Sequence, residues 1–205
     1  MKITKYFKDP KIISIIGDVN EAKSNLVYYL INELKKEFDF NLSTYGLKAN
    51  IESNKFYTIE ELEKIKESII FIDEFQSLFD LDDRKRKKQI ENTLRLINHN
   101  NNVLVLVGTP DNFKKFISSK ITVIFYKRVT FDSFINGSTV KKNVLNYCGD
   151  ESGSSVLNLE KNETICFDSS YKKYIIDYIE NCDTKRDNKE ILKSKSGNIV
   201  PKKVE

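Results

Sequence analysis

Gly17-Asp-Val-Asn-Glu-Ala-Lys-Ser24 is the stretch that decides the fold. Before it, Lys11–Gly17 is apolar and β-branched, and reads as a short buried strand running into a turn. After it, Ala22–Phe38 carries Leu26, Tyr29, Leu30, Leu34 and Phe38 at helical spacing. A turn held at a helix N-terminus aims backbone N–H groups and the positive end of the helix dipole at an anion. The phosphate-cradling pattern is glycine, four residues, glycine, lysine, then serine or threonine. Gly17, Lys23 and Ser24 fall on it, and Ala22 stands where the second glycine belongs. The expected cradle is Gly17, Asp18, Val19, Asn20, Glu21, Ala22, Lys23, Ser24 and Asn25. In it Lys23 reaches the β- and γ-phosphates and Ser24 holds Mg²⁺. Two features count against the match. Alanine accepts a left-handed backbone only at a cost that glycine avoids. Asp18 and Glu21 add negative charge beside a polyphosphate, which is unfavourable unless both point outward.

Ser68-Ile-Ile-Phe-Ile-Asp-Glu74 supplies the partner signal, an apolar run closed by an acid pair. A buried strand of this kind carries Asp73 to its carboxyl end, where α/β sheets place their ligands. Asp73 is expected on the metal side, supporting Mg²⁺ through water. Glu74 is expected to polarise an attacking water.

The remaining chain alternates between the two periodicities. Asn41–Leu47 reads as a strand, and Thr58 with Glu61 reads as the cap of a short helix, Ile59–Lys66. A charged helix follows over Arg84–Asn98, with Ile90, Leu94 and Ile97 on one face, then a strand over Asn102–Thr109. Pro110–Ser118 reads as a helix with proline at its first position. Ile121–Val129 reads as a strand, and Phe131–Tyr147 as a helix interrupted at Asn136-Gly137-Ser138. Ser155–Leu159 and Glu163–Phe167 suit a β-hairpin around Lys161-Asn162. Strands alternating with helices predict an α/β fold, a mainly parallel sheet flanked by helices, with a hairpin near the C-terminus. Residues 1–182 are expected to form one domain, and 183–205 a charged, disordered tail.

Composition removes several function classes. No apolar run approaches the ~20 residues of a membrane helix, and Met1–Pro10 lacks the apolar stretch of a secretory signal. A soluble, cytoplasmic protein is expected. Cys148, Cys166 and Cys182 match neither a disulfide framework nor a Cys-x-x-Cys site, and read as plain thiols. A single histidine, His99, excludes a catalytic histidine pair within one subunit. The net charge of +4 is mild; Arg84-Lys-Arg-Lys-Lys88 and Lys141-Lys142 cluster it locally.

With both motifs in place, the chain resembles the FtsK/HerA-like branch of P-loop ATPases, and within it the small viral genome-packaging ATPases. The resemblance covers roughly residues 11–168. It rests on the two motifs, the Asp73-Glu-Phe75 step and the strand Val103-Leu-Val-Leu-Val-Gly-Thr-Pro110. It implies a P-loop NTPase fold, ATP and Mg²⁺ as ligands, and Thr109 as a γ-phosphate sensor. It also implies an arginine given to the neighbouring subunit's ATP. Arg95 occupies that region, with Arg84 and Arg86 as rivals. The branch further implies a self-assembled ring that hydrolyses ATP and pulls double-stranded DNA through its centre. Arg84–Lys88 would then contact DNA phosphates, and a capsid or portal protein is a further expected partner. Two other functions fit the same motifs. One is a secretion or phage-extrusion ATPase of the zonula-occludens-toxin type, whose members usually carry a membrane segment. The other is a nucleotide-binding switch with negligible hydrolysis.

Overall fold

In the computed structural model, residues 2–47, 51–81, 84–168 and 170–177 are described. The expected domain limit at residue 182, the charged tail over 183–205 and Cys182 lie outside them. Among the described residues, eight strands form one sheet in the order β3-β2-β4-β5-β1-β6-β7-β8. They are β1 (Lys11–Ile16), β2 (Asn41–Tyr45), β3 (Asn54–Lys55), β4 (Ser68–Asp73), β5 (Val103–Gly108), β6 (Val123–Tyr126), β7 (Glu163–Phe167) and β8 (Tyr171–Ile175). Strands β3 to β6 in that order are mutually parallel, and β7 and β8 are antiparallel.

The central strands are parallel because they are apolar on both faces and need cover on both. Successive residues of each strand enter opposite cores. Ile12, Ile16, Ile70, Ile72, Leu104 and Leu106 pack on one side, against Ile90, Leu94 and Ile97 of α4 (Arg84–His99). Ile13, Ile15, Phe71, Val105 and Val107 pack on the other, against Leu26, Leu30 and Leu34 of α1 (Lys23–Glu37). Ile3, Tyr6 and Phe7, from a short 3-10 turn ahead of β1, complete that second layer. At the end of β2, Gly46 has φ +74, and a Cβ there would meet the Asp73 carbonyl oxygen at 2.7 Å. Glycine thus lets β2 close on the end of β4.

The short α2 (Ile59–Leu62) keeps the expected cap: the Thr58 hydroxyl accepts from the Glu61 N–H, and the Glu61 carboxylate accepts from the Tyr57 N–H. A further single turn, α3 (Gln76–Phe79), follows β4. Two expectations need correction. Pro110–Ser118 is not one helix but a 3-10 turn, Pro110–Asn112, and α5 (Lys115–Ser118). The break falls at Phe113, whose ring packs 4.8 Å from that of Phe75. The hairpin lies further along than expected. Its arms are β7 and β8, and Ser155–Leu159 falls on α8 (Ser154–Leu157) and the residues after it. The Asp150 carboxylate explains this: it accepts from the N–H groups of Ser152, Gly153 and Ser155 and folds the loop into a helix start. The Ser152 hydroxyl, which also donates to it, together with the backbone bond from Ser155 holds Asp150 far below the usual carboxylate range. The interruption in the long helical segment stands where expected, with α6 (Phe131–Asn136) and α7 (Ser138–Cys148) meeting at Gly137. Cys148 and Cys166 are free thiols. Among the described residues no helix is long and apolar enough to cross a membrane.

Candidate functional site

The loop after β1 sits at the carboxyl edge of the parallel sheet, between the ends of β5 and β6. Its first residue is clamped from both sides. The Gly17 N–H donates to the Gly108 carbonyl at 3.4 Å, and a Cβ on Gly17 would stand 2.7 Å from the Cβ of Lys127. Only glycine fits that approach. The turn itself is left-handed at Asn20 (φ 65) and at Ala22 (φ 55). Ala22 is the N-cap of α1 and offers no capping side chain, which leaves the first-turn N–H groups to an incoming acceptor. Alanine therefore does adopt the backbone expected of the missing glycine.

Lys23, the first residue of α1, curls over the loop. Its ammonium donates to the carbonyls of Gly17 (3.0 Å) and Asp18 (2.7 Å). The Ser24 hydroxyl donates to Asp73 Oδ2 at 3.1 Å, joining the two sequence motifs in space. A hydroxyl beside a buried carboxylate is a hard-oxygen pair suited to Mg²⁺ that arrives with phosphate oxygens. With the uncapped helix start and Lys23, the residues present fit a magnesium nucleotide. Asn25 is buried behind them, and Val19 is exposed at the loop's tip.

The two acidic residues are turned out of the cradle. Asp18 accepts from the Thr130 N–H at 2.6 Å and the Ser133 hydroxyl at 2.8 Å, at the start of α6. Glu21 Oε1 accepts from Arg128 Nη2 at 2.7 Å. The segment after β6 thus takes up both charges that weighed against the motif. Sequence reasoning missed these partners. Their only signal was Lys127-Arg128, charged residues placed directly after an apolar strand. Lys127 is buried and ties the same segment to the hairpin, its ammonium donating to the carbonyls of Lys161 (2.5 Å) and Glu163 (2.6 Å). Burial pushes its pKa down to about 8, partly offset by Glu21 and Glu163.

Asp73 closes β4, and Glu74 follows it with a left-handed backbone (φ 48). Such strain in a non-glycine residue costs about 1–3 kcal/mol and collects at functional sites. The Glu74 carbonyl accepts from the Ser77 N–H and hydroxyl, and Phe75 N–H bonds the Val107 carbonyl of β5. Thr109 lies just past β5, next to β4, with its hydroxyl accepting from Asn112 Nδ2 at 2.9 Å. Arg95 is not brought to this cluster. It is exposed near the end of α4, which runs back to the amino edge of the sheet, where Asn100 bonds the carbonyls of Glu63 and Ile65. Its i−4 neighbour Glu91 pairs with Lys87 at 3.9 Å.

Two measurements check this geometry. Ala22→Gly relieves left-handed strain and adds unfolded-state freedom, two effects of about 1 kcal/mol with opposite sign. Its unfolding free energy in urea stays within about 1 kcal/mol of the wild type. The second concerns pH. Lys127 binds its proton less tightly folded than unfolded, so the unfolded chain holds more protons between about pH 8 and 10.5. The stability of the wild type relative to Lys127→Met therefore rises through that window and is flat below it. Taking the difference removes the opposite trend from Cys166, whose thiol burial pushes up to about 12.

No family model matches the sequence, and no curated protein matches it either. Solved structures do match the fold. The DNA-packaging ATPase B204 of Sulfolobus Turreted Icosahedral Virus is 16% identical, with a TM-score of 0.56 over 84% of this chain and 99% of that one. The pCW3 conjugation coupling protein TcpA, solved with ATPγS, is 14% identical, with a TM-score of 0.58 over 84% of this chain and 62% of that one. EssC (ATPases 2 and 3) from Geobacillus thermodenitrificans is 9% identical, with a TM-score of 0.54 over 86% of this chain and 42% of that one. The chain has the P-loop fold of these solved ATPases.

Proposed function

We propose that the chain is an ATP-hydrolysing motor that moves double-stranded DNA, packaging a phage genome in the host cytoplasm. The observation that carries this reading is the 3.1 Å contact between Ser24 and Asp73, with Lys23 and Glu74 beside it. It joins a phosphate cradle to a strand-end acid pair at one sheet edge. The match over nearly the full length of the DNA-packaging ATPase B204 supports the choice of substrate. Bound magnesium nucleotide supplies the anhydride to be cleaved and a cation that neutralises its oxygens. Lys23 exchanges its two loop carbonyls for phosphate oxygens. Ser24 and Asp73 hold the cation side. Glu74 orients a water and accepts its proton, and Thr109 holds the outermost phosphate. Arg86, Lys87 and Lys88 are exposed at the start of α4 and suit phosphate contacts that carry no sequence information. A capsid or portal protein is the proposed docking partner.

Arg95 is remote from its own subunit's cluster, so a role in hydrolysis requires a neighbouring subunit in a ring. Its permanent charge and planar fork suit developing phosphate charge. The departure at Ala22 favours one second reading, a nucleotide-binding switch that turns ATP over negligibly.

ATPase rates with and without double-stranded DNA separate these readings. Stimulation by DNA is expected. DNA-independent hydrolysis favours a secretion or extrusion ATPase, and tight binding without phosphate release favours the switch. Lys23→Ala weakens ATP–Mg²⁺ binding by about 1.5–3 kcal/mol in isothermal titration. Glu74→Gln keeps binding and lowers turnover by about 10²-fold or more. Arg95→Ala subunits regain ATPase when mixed with Lys23→Ala subunits, since one mixed interface then holds a complete site. A co-assembled mixture no faster than either mutant rejects Arg95.

A further inference from the structure

We propose that Arg128 is a positioning residue that makes this acidic phosphate loop able to hold a polyphosphate, by neutralising Glu21 from the neighbouring strand end. The inference rests on the nucleotide reading above. Asp18 and Glu21 are both turned outward, but they are not equally quenched. Both Asp18 oxygens accept hydrogen bonds, from Thr130 N–H and from the Ser133 hydroxyl. Glu21 is 9% exposed, and among the described residues its carboxylate has a single hydrogen-bond donor, Arg128 Nη2 at 2.7 Å on Oε1. Its Oε2 is buried and accepts no hydrogen bond from any of the described residues.

A buried carboxylate with one donor keeps most of its field, and that field falls on the cradle two residues before Lys23. Lys127 and Arg128, from the segment after β6, both stand near it. Lys127 feels Glu21 through space, but its ammonium is committed to the hairpin carbonyls of Lys161 and Glu163 and makes no hydrogen bond to the Glu21 carboxylate among the described residues. Arg128 is always charged. Its backbone is fixed beside the loop, since its carbonyl accepts from the Asp18 N–H at 3.2 Å. Its guanidinium remains 45% exposed, on the open side of the pair. The pair Glu21–Arg128 is neutral as a unit, which takes the Glu21 charge out of the field that meets a phosphate. Removing Arg128 leaves an unneutralised carboxylate beside the cradle, and its field opposes the phosphates.

The test is a double-mutant cycle read by isothermal titration with ATP–Mg²⁺, and with ADP–Mg²⁺ as a ligand of lower charge. Arg128→Ala weakens ATP binding about 10- to 100-fold, the scale of one poorly solvated like-charge contact, and weakens ADP binding less. Glu21→Gln in the same background restores ATP affinity to within about threefold of the wild type. Arg128→Lys, which keeps the charge, holds affinity at a similar level. A misfolded loop would show neither the recovery nor the grading with ligand charge. Arg128→Ala binding like the wild type overturns the proposal, and so does a double mutant as weak as Arg128→Ala. If Arg128→Ala does not fold, Glu21→Gln alone decides. Tighter ATP binding supports the proposal, and weaker binding overturns it. Wild-type protein that binds no nucleotide, or binds it equally after Lys23→Ala, sinks the nucleotide reading instead.

Discussion

Parallel pairing through β5 is the constraint on which the site depends. β5 bonds β1 on one side and β4 on the other, with Ile16 opposite Gly108 and Asp73 opposite Val107. That register ends β1 and β4 at nearly the same level on either side of one shared strand. The loop after β1 and the acid pair after β4 then face each other across the end of β5. A slip by one residue would turn every side chain of a strand to the wrong core. The two hydrophobic layers, which take alternate residues of all three strands, hold the register in place.

The second organising element is the segment after β6. It contributes no residue to either motif, yet it receives Gly17 at close range, takes the carboxylates of Asp18 and Glu21, and is tied by Lys127 to the hairpin. The loop's two acidic residues thus find their partners outside the loop. Its backbone is left-handed at Ala22 despite the Cβ, and its two carboxylates meet partners more than a hundred residues away in sequence.

Much of this was legible in the sequence, for identifiable reasons. β1, β4 and β5 are short, uniformly apolar runs bounded by polar turns, so their type and limits follow from composition. The cradle and the acid pair carry their spacing within a few residues, and local spacing survives translation into three dimensions. The second arm of the hairpin did not show, because Tyr171–Ile175 is an edge strand whose Lys172-Lys173 hides the alternation. Ser154–Leu157 became helical through Asp150, a capping effect that strand propensity does not register. Phe113 broke the helix after Pro110 because its ring is better placed against Phe75. Thr130 and Ser133 were invisible as partners of Asp18, since nothing near residue 18 announces which distant strand end will lie beside it.

The contact between Gly17 and Lys127 also limits how this loop can vary over generations. The atom that crowds position 17 is the Cβ of Lys127, which every residue except glycine possesses. Trimming Lys127 to any other side chain leaves the obstacle in place, so no ordinary exchange at 127 makes room for a larger residue at 17. Glycine at 127 would make room, but it would surrender the tether to Lys161 and Glu163. Variants of this chain should therefore drift freely at exposed Val19 while position 17 stays fixed. The two sites do not form a compensating pair, and a library randomised at both should return glycine at 17 almost alone.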